Sequence, residues 1–173
     1  MITDALLQFV PVGSNLAILG TAVRSGVYDI LGQGVGTAPS NIIGTPTLFG
    51  SDLGIGGVRP HLEVLLGTAA FAGGTSLNIA FQAAVDTAGT HAAGTWNTLV
   101  ETGAIATANL TAGQVCARFD WPPAFPPGLN ARYLSLLFTP VGTFTAGTIN
   151  AAIVTMVRDD QANRYAAKNF VVS

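Results

Sequence analysis

Few residues in this chain have side chains that could do chemistry, and they are scattered. His61 and His91 are the only histidines, and Cys116 is the only cysteine. His61 stands behind Pro60, two residues before Glu63, and opens an apolar stretch; with no further donors beside it, it reads as a strand-end histidine rather than a ligand or general base. His91 lies in Gly89-Thr90-His91-Ala92-Ala93-Gly94, which reads as a loop tip. A lone cysteine cannot form an intrachain disulfide or a cysteine-based metal cluster, and free Cys is most often a small buried hydrophobe. The carboxylates are Asp4, Asp29, Asp52, Glu63, Asp86, Glu101, Asp120, Asp159 and Asp160. Only the last two are adjacent, and neighbours on a strand point to opposite faces, so they make a poor acid–base couple. No nucleophile–base–acid set is visible, which gives the expectation of a non-enzymatic protein without metal or cofactor.

Two glycine clusters and a proline segment complete the motifs. Gly32-Gln33-Gly34-Val35-Gly36-Thr37 fails the dinucleotide-binding pattern because its third glycine comes one residue early and no helical pattern follows. Gly54-Ile55-Gly56-Gly57 runs into Arg59-Pro60, where a phosphate-binding helix would start badly. Both read as turns. Trp121-Pro122-Pro123-Ala124-Phe125-Pro126-Pro127-Gly128 contains a formal P-x-x-P, but it reads better as a stiff loop that clamps its aromatics against a sandwich edge. Arg24, Arg59, Arg118, Arg132, Arg158, Arg164 and Lys168 are dispersed and the net charge is -2, so no nucleic-acid or anionic-lipid partner is expected. No apolar run is long enough to span a membrane, and the start of the chain lacks the basic residues of a secretory signal.

The elements that must position these residues are strands. Ser76-Leu77-Asn78-Ile79-Ala80-Phe81-Gln82 alternates with period two, with Leu77, Ile79 and Phe81 on one face. Arg132 to Phe138 has no clean polar face, as expected of a central strand buried on both sides. His61–Leu66, Trp96–Glu101 and Val115–Asp120 are further strands. Thr148 to Val157 shows both phases, so its inward face stays open. Leu16–Gly20 is a strand or a packed arm, Val27–Leu31 and Ile42–Ile43 are short apolar pieces, and one or two helical turns are possible over Asp160–Lys168. Turn residues recur every ten or so positions, and helical patterns between strands are missing, which argues for a sandwich or barrel. Charged residues make up 9% of the chain and hydrophobic ones 49%, against roughly 25% charged in ordinary soluble domains. Such a surface is expected to be covered by sister subunits or a large partner.

The order and spacing of Phe71-Ala72-Gly73-Gly74-Thr75-Ser76-Leu77, then Pro126-Pro127-Gly128, then Arg132-Tyr133-Leu134-Ser135-Leu136, then Gly142-Thr143-Phe144-Thr145-Ala146-Gly147-Thr148 resemble the capsid cement, or decoration, proteins of tailed bacteriophages. The tail Asp159-Asp160-Gln161-Ala162-Asn163 extends the likeness, which covers residues 60–165. The departures are Ser135, where that family commonly has a basic residue, and a longer Gly-rich N-terminal part. The resemblance implies an antiparallel jelly-roll sandwich that assembles as a homotrimer on the capsid exterior, against the major capsid protein, after synthesis in the bacterial cytoplasm. The chain is accordingly expected to be one domain, 1–173. It has a Gly-rich N-terminal part at 1–60, main strands at 61–157 and a C-terminal tail at 158–173. Contacts to the capsid or a sister subunit are expected from the termini: Met1, Leu7 and Phe9 in the arm, and Arg158, Asp160, Arg164, Tyr165 and Phe170 in the tail. The alternatives are another virion subunit (tail tube or minor capsid), or a glycan- or receptor-binding sandwich using Trp96, Trp121 or Tyr133.

Overall fold

The computed structural model describes residues 2–30, 33–37, 47–49, 61–87, 92–121 and 123–156; for 2–7, 33–37, 47–49 and 156 it describes the backbone path alone. The strands are β1 (Ile2–Val10), β2 (Leu16–Ala17), β3 (Val23–Arg24), β4 (Tyr28–Asp29), β5 (Gln33–Thr37), β6 (Thr47–Phe49), β7 (His61–Leu66), β8 (Ser76–Asp86), β9 (Ala93–Glu101), β10 (Ile105–Ala106), β11 (Val115–Asp120), β12 (Tyr133–Val141) and β13 (Thr148–Met156). A 3-10 turn at Thr107–Asn109 joins β10 to β11. Ile42–Ile43 and the possible turns at Asp160–Lys168 lie outside the described residues.

One sheet runs β1–β13–β7–β11, with β2 beside β13 where β1 leaves off. In the other, β9 and β10 share one side of β8, β12 holds its other side, and β3 and β4 lie beyond β12. All these pairings are antiparallel, and β5 pairs with β6 as a separate two-stranded piece. With β1–β2, β3–β4 and β9–β10 each taken as one rung, the rung order is 1-8-3-6 in the first sheet and 2-7-4-5 in the second. That order is the jelly roll: first and last rungs pair, and the chain winds around the sandwich in two Greek keys.

Hydrophobic alternation sets the register. Leu77, Ile79 and Phe81 of β8 are fully buried, and so are Leu134, Leu136 and Phe138 of β12. Leu136 pairs with Phe81 and Phe138 with Ile79, so the two strands present one continuous inner face. Leu62, Val64 and Leu66 of β7 close the core from the opposite sheet. The outer phase of β12 is covered as well, with Ser135 at 0% exposure and Tyr133 at 5%, as its missing polar face predicts. β13 shows both phases in sequence because it changes phase: Ile149 faces the core, an irregularity follows between Ile149 and Ala151, and Ala152 and Val154 face the core thereafter.

Two of the segments that carry the cement-protein resemblance, Phe71–Leu77 and Gly142–Thr148, meet at one end of the sandwich. The Phe71 and Phe144 rings cross edge to face, 5.0 Å apart at 84°. A Cβ on Gly74 would strike the Phe144 ring, and a Cβ on Gly147 would strike the Phe71 ring. The loops are closed by backbone bonds from Ala72 N–H to the Ala146 carbonyl (3.1 Å) and from Thr145 N–H to the Ala72 carbonyl (2.8 Å).

Phe81→Ala is expected to cost about 3–5 kcal/mol, as for other buried aromatics. Asn78, whose amide donates to Glu101 at the surface (2.9 Å), should cost far less as alanine. Equal small losses in denaturant melts would mean that the register is wrong. Gly147→Ala is expected to lose about 1–3 kcal/mol, since its φ of +126° and the Phe71 ring both oppose a side chain; an unchanged melting temperature would remove the ring pair as the end closure.

Candidate functional site

The residues with chemical potential are held apart by the sheets. His61 begins β7 and lies opposite Asp120 of β11, with Nδ1 3.7 Å from Oδ1. Cys116 sits four residues back along β11, roughly 13 Å by strand rise, so the two do not form a dyad. The Cys116 Sγ approaches the Val64 carbonyl at 3.5 Å, and burial pushes its thiol up to about 12. A thiol in that state is a packing group and not a nucleophile. His91 lies outside the described residues. Among the described residues, no three His, Cys, Asp or Glu side chains gather in a metal-binding group.

The charges serve mainly to fasten strands. Arg132 forks onto Asp29, with Nε to Oδ1 at 2.9 Å and Nη2 to Oδ2 at 2.8 Å, and its Nη1 reaches Asp86 Oδ2 at 2.8 Å. The fork ties β4 to β8 across the start of β12. The Asp29 bonds raise the Arg132 pKa, burial opposes them, and the guanidinium stays charged. Arg24 lies flat over the outer face of the same sheet, its guanidinium carbon 4.1 Å from the centre of the Trp96 ring. Its Nη2 donates to Gln82 Oε1 (2.8 Å), and Gln82 Nε2 donates to Thr98 Oγ1 (3.0 Å). Beneath it, the Ser25 and Ser135 hydroxyls share a hydrogen bond of 3.1 Å. Burial lowers the Arg24 pKa from its ordinary value. On the other sheet, Arg118 Nε stands 2.8 Å from Glu63 Oε1, out of line for a hydrogen bond.

The aromatics named for glycan binding are not open platforms. Trp121 is 1% exposed and belongs to the core. One face of Trp96 is taken by Arg24, and Tyr133 is covered. At the start of the proline segment Trp121 packs against Phe9, Tyr28 and Phe81, while Phe125 stays 37% exposed, so only one of the two aromatics is held inward. Beside that loop, a cleft of about 310 Å³ opens between β9 and β11, lined by Leu99, Val100, Phe119, Pro123 and Ala124, with Arg118 and Asp120 at its rim. Composition gives no hint of this cleft; an Arg-x-Asp on a strand ending at a proline segment is the local signal.

The expected terminal contacts separate into three groups. Phe9 is corrected: it is 1% exposed, with its ring 5.8 Å from Phe81 and 5.9 Å from Trp121, so it packs the interior and cannot serve as a contact. The expected N-terminal arm is, over Ile2–Val10, an edge strand paired with β13. Leu7 lies on that strand, and its side chain is outside the described residues, as are Met1, Arg158, Asp160, Arg164, Tyr165 and Phe170. No helix among the described residues is long and apolar enough to cross a membrane.

The sequence model of the family Bbp16 matches residues 17–153. No curated protein matches the chain.

Cys116 should resist alkylation in the native protein at pH 8 and react fully once the chain is denatured. Native labelling as fast as that of a free thiol would contradict its burial and raised pKa.

Proposed function

Because the chain belongs to the Bbp16 family and is thereby a phage-associated protein of structural type, we propose that it binds the exterior of a bacteriophage capsid as a homotrimer and cements the shell, without catalysis. The observation behind the phage-structural part of this reading is the family match across 17–153, which takes in the jelly roll from β2 to the far part of β13, and the cement role rests on the resemblance of the Phe71–Thr148 segments. The composition supports it. With 9% charged residues, a chain of this size has little with which to solvate an isolated surface. A cement subunit has two surfaces to cover it, sister copies and the major capsid protein.

The mechanism needs only mass action. A subunit that binds the assembled shell and not its parts stabilises the shell by RT ln(1 + [L]/Kd) per site. Copies on a symmetric lattice tie adjacent capsomers, and their effects accumulate. The contacts are assigned to termini and loops: Met1 and Leu7 at one end, and Arg158, Asp160, Arg164, Tyr165 and Phe170 in the tail. Phe9 is left out, being core. The tail sequence combines charge with aromatic side chains, as polar-rimmed interfaces do.

The test adds purified protein to undecorated expanded capsids and follows co-sedimentation and heat tolerance. The intact protein, a trimer by light scattering, should bind and raise the tolerance. Removal of the tail beyond Gln161 should weaken binding more than alanine at His61, His91 or Cys116. Absence of both binding and stabilisation would sink the cement reading and favour another virion subunit.

A further inference from the structure

We propose that the outer edge of β11 is a self-complementary docking surface that pairs antiparallel with β11 of a second copy of this chain, about a two-fold axis at Phe119. β11 ends its sheet, and among the described residues no strand pairs with its outer side. An open edge presents a row of backbone donors and acceptors that another strand can use.

Charge selects both the partner and the register. The charged residues of β11 are Arg118 and Asp120, two apart and therefore on the same face. A two-fold axis perpendicular to the sheet keeps each face on its own side, so the pivot must fall on a residue. A pivot at Arg118 sets two guanidiniums against each other, one at Asp120 opposes two carboxylates, and one at Ala117 leaves both charges without an opposite. Only a pivot at Phe119 sets Arg118 opposite Asp120 of the second copy, and does so twice by symmetry. Both side chains are exposed enough to do this, 62% for Arg118 and 75% for Asp120, although Asp120 also stands 3.7 Å from His61. Arg118 meets Glu63 through Nε, which leaves the rest of its donor fork for a second carboxylate.

Apolar surface gathers at the same edge. Val115, Val100 and Phe125 are 39%, 45% and 37% exposed, and Val100 lines the β9–β11 cleft. The Phe119 register carries Val115 of each copy toward the Pro123 segment of the other. Pairing would cover these side chains and turn the four-rung sheet into an eight-rung sheet across two copies. The inference goes beyond shell binding: it is a contact between copies, and on trimers it would link neighbours pairwise.

The test compares concentration-dependent association of wild type, Asp120→Glu and Asp120→Arg by sedimentation equilibrium up to about 100 µM, a range that reaches weak interfaces. Wild type and Asp120→Glu should show a doubling of the base unit. Asp120→Arg, which opposes arginines twice, should weaken that doubling roughly tenfold or more, with an unchanged melting temperature. Coincident curves for wild type and Asp120→Arg overturn the proposal, as does the absence of doubling in wild type. Capsid co-sedimentation of Asp120→Arg is run alongside. Retained capsid binding with lost doubling supports the edge contact as distinct from the shell contact. Loss of capsid binding by wild type itself would count against the cement reading alone.

Discussion

The ring of Phe81 meets three other rings that arrive from two separate parts of the chain, and the closure of the sandwich depends on that meeting. Phe9 from β1 approaches edge-on at 5.8 Å, Phe119 from β11 lies tilted at 5.8 Å, and Trp121 stacks at 6.2 Å. Phe9 and Phe119 come from opposite margins of one sheet and Phe81 from a central strand of the other. The contact therefore fixes the separation of the sheets and the position of both margins together. It also explains why the chain wastes no aromatic on an outward-facing Trp121: the indole fills the gap where β11 ends and the proline loop turns away. Buried rings in such crossed and offset arrangements add about 0.5–1.5 kcal/mol per pair beyond their area.

The parts of this fold that were legible in sequence are those where one residue's environment is set by its immediate neighbours. β8 alternates cleanly because one of its faces is core, and β7 and β11 end where their apolar runs end. β12 was readable as doubly covered because Ser135 is the sole polar side chain between Tyr133 and Phe138. Two features were not legible. The phase of β13 depends on an irregularity set by its pairing with β7, which no alternation rule can see. The burial of Phe9 depends on Tyr28, Phe81 and Trp121, residues about 20, 70 and 110 positions away along the chain, so local polarity made it look like part of an arm. The candidate contacts at the termini were chosen by composition alone, and Phe9 shows the weakness of that choice: an apolar residue near an end is as good a core residue as a contact.

Among the described residues most charges are turned inward or sideways, while Glu101, Arg118 and Asp120 stay exposed. Arg132 holds two carboxylates, Arg118 stands over Glu63, and Arg24 lies on Trp96 above Ser25 and Ser135. Each of these fastens strands or covers the outer face of a sheet. Ser135 then makes sense where the resembling family commonly has a basic residue. It is fully buried beneath the Arg24 layer, its hydroxyl bonded to Ser25, and a long cation there would compete for the space that Arg24 occupies.

The residues that carry the resemblance are fold-making residues. Gly74 and Gly147 leave room for the Phe144 and Phe71 rings, Arg132 forks across three strands, and Leu134 and Leu136 line the core. Other residues of the same segments, Pro126, Pro127, Gly128, Thr143 and Thr145, are exposed. A likeness built on fold-making residues transmits the jelly roll and says little about which surface meets a partner. The footprint has to lie on positions that the fold leaves free, which are the strand edges, the loops beside them and the chain ends. On the β11 edge the exposed positions are Arg118 and Asp120, whose spacing on one face follows from the strand period and whose signs suit their cross-strand neighbours Glu63 and His61. Each keeps most of its side chain in solvent while it stands beside that neighbour, so the polar pattern that fastens β11 to β7 is also presented outward. An open strand edge that still presents both signs on one face is the physical reason to look for an interface there before any other.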